Sequence, residues 1–112
     1  LKMTEQVKLL TDTVCHYDVI EEDFIAMKSF YLKRDLGGLY NYTQRYSMSR
    51  EPVYEKLMTK LIVDRNKTMA ERMQPMLDKG KSFIAIGAMH LTGAEGVLFL
   101  LEKQGYSLTA IY

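Results

Sequence analysis

Apolar residues recur at helical spacing through the first eighty positions of this chain, and then the pattern changes. Met3, Val7, Leu10 and Val14 stand three or four residues apart with lysine, glutamate and aspartate between them, which predicts an amphipathic helix over 2–15. Ile20, Phe24, Met27 and Tyr31 make a second stripe, opened by Asp18 and Glu21 at capping-box spacing. Arg34-Asp35-Leu36-Gly37-Gly38 interrupts it, and Asp35 is placed to cap a short helix carrying Leu39, Tyr42 and Tyr46. Ser49-Arg50-Glu51-Pro52 is another start signal, because proline fits the first helical turn. Val53, Leu57, Leu61 and Ile62 then mark a buried stripe. Asp64-Arg65-Asn66 either caps a new helix or bends this one, and Met69, Met73, Met76 and Leu77 continue the apolar face. Pro75 is expected to kink or end that helix, and Gly80 closes the segment.

Beyond residue 80 the period shortens. Phe83 to Ile86 is an unbroken apolar run, the pattern of a strand covered on both faces. Gly87 relaxes the backbone where the run stops, and His90 follows three residues later. Thr92 and Glu95 repeat the capping-box spacing and predict a helix through Val97, Leu98, Leu100 and Leu101, with Gly105 as its C′ stop. Tyr106 to Tyr112 is rich in aromatic and branched residues, which predicts a second strand. Strand, helix and strand over 82–112 approach the roughly 30 residues of a βαβ unit. The expected fold class is therefore α/β. A mainly helical part over 1–80, with four to five helices, would precede a strand–helix–strand unit over 81–112. No strand-like segment precedes residue 82, so the α/β domain would be incomplete. In open α/β sheets ligands gather beyond the carboxyl ends of strands, where His90 is expected.

Length and charge narrow the reading. A chain of 112 residues makes one domain at most. Fifteen basic residues against 14 acidic ones create no field that would draw nucleic acid or a membrane surface. No run approaches the roughly 18 apolar residues of a membrane span. No signal-peptide pattern opens the chain, which starts at Leu1 inside an expected helix, as a processed product or fragment would. The one cysteine, Cys15, cannot form an internal disulfide and leaves the compartment open.

His90 is the residue whose local setting points to chemistry. A histidine at a strand end, ahead of a helix N-terminus, can bind a metal or shuttle a proton, although a turn histidine bonded to a carbonyl fits as well. Helix N-termini also attract anions, so a carboxylate or phosphate could dock beside it. Glu95 has two competing roles: it closes the Thr92 capping box, the preferred reading, or it turns to His90 as ligand or base. Arg65 and Asn66 stand at a helix junction, where an arginine could hold a substrate carboxylate or a developing oxyanion. His16, beside Cys15, lacks further ligands at helical spacing and reads as a surface or cap histidine. Tyrosines 31, 40, 42, 46 and 54 cluster in the middle of the chain, more as the rim of a thin core than as a groove. The methionines read as adaptable core filling rather than soft-metal ligands.

Three stretches together carry a resemblance. Asp64-Arg65-Asn66-x-x-Met69, then Phe83-Ile84-Ala85-Ile86-Gly87-Ala88-Met89-His90-Leu91-x-Gly93-x-x-Gly96-Val97, then Leu100-Leu101-x-x-x-Gly105-Tyr106 resemble the C-terminal half of the TraB/PrgY/GumN family. The Tiki metalloproteases are similar to that family. The resemblance implies a hydrolase, peptidase-like, that depends on a divalent metal of the Mn, Co or Zn class when full length. Its site is built from two Gly-x-x-His motifs and a glutamate. Gly87 and His90 match the second motif, making His90 the implied metal ligand and catalytic residue. Arg65 and Asn66 match the family's Arg-Asn pair, Arg65 as a catalytic group and Asn66, with Glu95, on the substrate side. The first motif and the family glutamate have no counterpart in these 112 residues, so the fragment alone is expected to be inactive. The implied partner is a peptide or small-molecule substrate, with neither nucleic acid nor a membrane span in this segment. Two further expectations are a homodimer through an exposed sheet edge and a periplasmic or envelope location. The contrasting class is a non-catalytic peptide-binding or regulatory module, as for relatives linked to peptide-pheromone control.

Overall fold

A computed structural model describes residues 1–47 and 51–111. Six α-helices form among the described residues: α1 (Met3–Cys15), α2 (Tyr17–Leu32), α3 (Leu36–Ser47), α4 (Pro52–Met58), α5 (Asp64–Lys79) and α6 (Val97–Lys103). A π-helical turn, Thr59–Val63, precedes α5, and a 3₁₀ turn, Ala88–His90, precedes α6. The chain divides into two compact units, Leu1–Thr59 and Lys60–Tyr112. No described helix is long and apolar enough to cross a membrane.

The expected α/β fold is overturned, because every regular element among the described residues is helical. Among the described residues neither 82–88 nor 106–111 forms a strand. An apolar run becomes a strand only where a neighbouring backbone takes up its N–H and C=O groups. Phe83, expected to be covered on both faces, is 94% exposed. Without a sheet there is also no edge among the described residues through which a dimer could form.

Within the first unit, helix boundaries follow local chemistry. The Lys2 amide donates to Glu5 Oε2 at 2.6 Å ahead of α1. Asp35 caps α3 as expected, its Oδ1 accepting from the Gly38 amide at 2.8 Å. Pro52 takes the first position of α4 after Glu51, while Ser49 and Arg50 lie outside the described residues. Asp18 does not cap α2, which begins at Tyr17 with His16 as its N-cap. Buried Asp23 accepts a 2.6 Å hydrogen bond from the Tyr42 hydroxyl, and the Tyr42 ring packs 5.7 Å from that of Phe30. Tyr54 donates to Asp12 Oδ2 at 2.8 Å and ties α4 to α1. Of the five tyrosines, Tyr40, Tyr42 and Tyr54 are half-buried and Tyr31 is exposed; the Tyr46 side chain lies outside what is described. The Tyr42 and Tyr54 hydroxyls are spent on Asp23 and Asp12.

The second unit holds the better core. Ala70 and Met73 of α5 pack with Val97 and Leu101 of α6, flanked by Met69, Leu77, Ile86, Leu100 and Tyr106. Pro75 does not end α5, which runs on to Lys79. Met73 and Leu77, on either side of the proline, both belong to the cluster, so apolar burial offsets the roughly 3 kcal/mol such a proline costs. Helix α6 ends as its sequence predicts. Gly105 adopts φ 98°, its amide donates to Glu102 O at 3.0 Å, and the Tyr106 amide reaches Leu101 O at 3.1 Å. That is a Schellman ending, which a side chain at Gly105 would strain.

Candidate functional site

Asn66, in the first turn of α5, is the buried centre of the second unit's polar chemistry, at 1% exposure. Its Nδ2 donates to the backbone oxygen of Glu95 at 2.8 Å, and its Oδ1 lies 2.7 Å from Nδ1 of His90. One side chain on α5 thus holds the 87–96 loop at two points, His90 and Glu95.

The loop sequence explains how His90 arrives there. Gly87 is extended at φ −61° and ψ 141°, and its carbonyl accepts from the His90 amide at 2.9 Å, closing the 3₁₀ turn. Gly93, at φ 84°, reverses the chain in a conformation that suits glycine. Gly96 is buried so tightly that a Cβ would collide with the carbonyl oxygens of Leu91 and Thr92. The next residue, Val97, enters the core and starts α6. Core packing at one end and the Gly87 turn at the other hold the imidazole over the start of α5.

The electrostatics favour a neutral ring. Partial burial, followed by the positive charge of nearby Arg65, pulls His90 below the usual histidine range. Arg65 is exposed, and its guanidinium donates to Leu61 O at a long 3.4 Å. Glu95 enters the site through its carbonyl and not its carboxylate, which pairs with Lys67 at 3.5 Å. The expected capping box of Thr92 and Glu95 is absent from the described structure. Helix α6 begins five residues after Thr92, with Gly96 as N-cap and no side-chain cap.

The structure therefore joins His90 to Asn66 directly, sets Arg65 within electrostatic reach, and leaves the Glu95 carboxylate outside. Sequence reading singled out His90, Arg65 and Asn66, and the fold brings these three near one another. That reading missed the Glu95 carbonyl, because a backbone acceptor leaves no mark in the residue type. His16 belongs to the first unit, where its Nδ1 lies 2.9 Å from Asp12 O on the surface; Cys15 beside it is also exposed. Among the described residues no three His, Cys, Asp or Glu side chains gather as a metal ion requires.

The sequence pattern of the TraB/PrgY/gumN family matches residues 1–110. A Metalloprotease TIKI homolog from Amphimedon queenslandica is 29% identical over 76 residues, which are 65% of this chain and 15% of that protein. The chain thus spans a small part of the length of that relative. No solved structure matches it.

Proposed function

The chain belongs to the TraB/PrgY/gumN family, and from that premise we propose that it is part of a metal-dependent hydrolase of the peptidase type. One observation carries the reading: the Gly87-x-x-His90 turn presents a half-buried imidazole anchored by a buried amide. Similarity to a protein named as a metalloprotease supports the metal and the reaction class. In this proposal His90 is a metal ligand, and the remaining ligands come from residues outside these 112. A divalent ion bound there would polarise the scissile carbonyl of the substrate. Arg65, exposed beside the ring, offers a positive charge to a substrate carboxylate or a developing oxyanion. Burial of the ring and the Arg65 charge both keep His90 neutral, the state in which an imidazole can ligate.

The test replaces His90 with alanine in the full-length protein and follows peptide hydrolysis with and without chelator. Loss of a chelator-sensitive activity is expected; unchanged turnover overturns the proposal. A second reading, peptide capture or regulation without hydrolysis, is favoured by the Glu95 carboxylate, which pairs with Lys67 and not with His90. Bound peptide with neither metal nor turnover would decide for capture.

A further inference from the structure

We propose that Asn66 is a positioning residue that locks His90 in its Nδ1–H tautomer and so leaves the Nε2 lone pair open. The argument is one of donors and acceptors. The Glu95 backbone oxygen can only accept, so the Asn66 atom 2.8 Å away is the NH₂ group. The amide is rigid, which turns its oxygen towards His90. That oxygen also can only accept, so Nδ1, at 2.7 Å, carries the hydrogen. A neutral imidazole has one N–H, and Nε2 is therefore bare. Asn66, the link between His90 and the Glu95 carbonyl, is itself 1% exposed, so its amide makes these bonds away from water.

The same burial excludes Asn66 from binding substrate, since both its polar atoms are engaged and neither faces solvent. At the other edge of the ring, no described residue supplies a hydrogen bond to Nε2. Gly87 contributes to that opening: a Cβ there would stand 3.7 Å from Cδ2, the carbon next to Nε2, and a longer side chain would cover the edge. A histidine whose second nitrogen is fixed by a buried partner is how proteins hold an imidazole for ligation or proton transfer. The tautomer stands on geometry alone; the use made of Nε2 rests on the hydrolase reading.

The experiment is long-range ¹H–¹⁵N correlation of the histidine rings in the metal-free chain, at a pH where both rings are neutral. His90 should show a protonated Nδ1 and an unprotonated Nε2. Asn66→Ala should move His90 towards the Nε2–H form while His16, in the other unit, keeps its pattern. Asn66→Asp retains an acceptor oxygen and should retain Nδ1–H. An Nε2–H pattern for His90 in the unsubstituted chain overturns the proposal, as does an unaltered His90 pattern in a folded Asn66→Ala chain. Where Asn66→Ala loses its fold, the unsubstituted spectrum alone decides. Zinc ion added to the full-length protein separates the two ideas. A shift at His90 Nε2 supports ligation, whereas no shift with Nδ1–H intact overturns the ligand assignment and leaves the role of Asn66 standing.

Discussion

Asp12 shows how much one surface side chain does in the first unit. Its carboxylate accepts from Lys8 Nζ at 2.8 Å and from the Tyr54 hydroxyl at 2.8 Å, and Lys8 also pairs with Glu51 at 2.9 Å. The Lys8 hydrogen bond first, then that of Tyr54, holds Asp12 below the usual carboxylate range. The Lys2 amide, followed by Lys56, does the same for Glu5. The unfolded chain then takes up protons at the ordinary carboxylate value, near 4, before the folded chain does. The stability these groups contribute is present above that value and lost as pH falls through their depressed folded values. Urea midpoints measured against pH should begin to fall as pH drops through the ordinary histidine value, where the unfolded chain protonates His90 before the folded one does. They should fall further near the carboxylate value, and Asp12→Asn should flatten that second drop. An undiminished acid slope in Asp12→Asn would place the titrating group elsewhere. Around the candidate site, residue type carried the legible part. Gly-x-x-His and Arg-Asn are readable as letters, whereas the acceptor that completes the Asn66 bridge is a main-chain carbonyl. Only the folded loop determines which carbonyl that is.

At the scale of elements, the signals that came true are those satisfied within a few residues. Asp35 needs only the Gly38 amide, Pro52 only its place in a first turn, and Gly105 only the two preceding carbonyls. The signals that failed depend on distant partners or on a competing local solution. A strand over 82–88 needs another strand, and none pairs with it among the described residues. The Thr92 capping box needs a helix to start at once, but Gly93 turns the chain and Gly96 packs against the Leu91 and Thr92 carbonyls instead. Two glycines of this loop should consequently respond in opposite ways to alanine. At Gly96 the added methyl meets backbone that cannot step aside, and the loss should be about 1–3 kcal/mol, read from the urea midpoint. At Gly87 the backbone angles suit any residue and the methyl meets only the His90 ring edge at ordinary contact distance. Stability there should hold or rise by about 0.4–1 kcal/mol through a stiffer unfolded chain. A destabilised Gly87→Ala would mean that the loop has a different path.

Across the whole molecule, apolar burial is unevenly shared. In the second unit α5 and α6 close over Ala70, Met73, Val97 and Leu101. In the first, Leu39 and Val53 are the buried apolar side chains among the described residues, and α1 buries none. The apolar stripe of α1 (Met3, Val7, Leu10 and Val14) keeps its helical spacing yet faces outward. Periodicity therefore predicted the helix and left its burial open, because spacing reports a shared face and not what covers it. The asymmetry has a mutational signature. Leu101, at 7% exposure, should lose about 2–5 kcal/mol on replacement by alanine, from lost transfer energy and the cavity left behind. Leu10, at 66% exposure, has little left to lose and should stay within about 0.5 kcal/mol. Both values come from denaturant unfolding of the 112-residue chain, with fluorescence or circular dichroism as readout. A Leu10→Ala loss as large as that of Leu101→Ala would show that the α1 stripe is covered in solution.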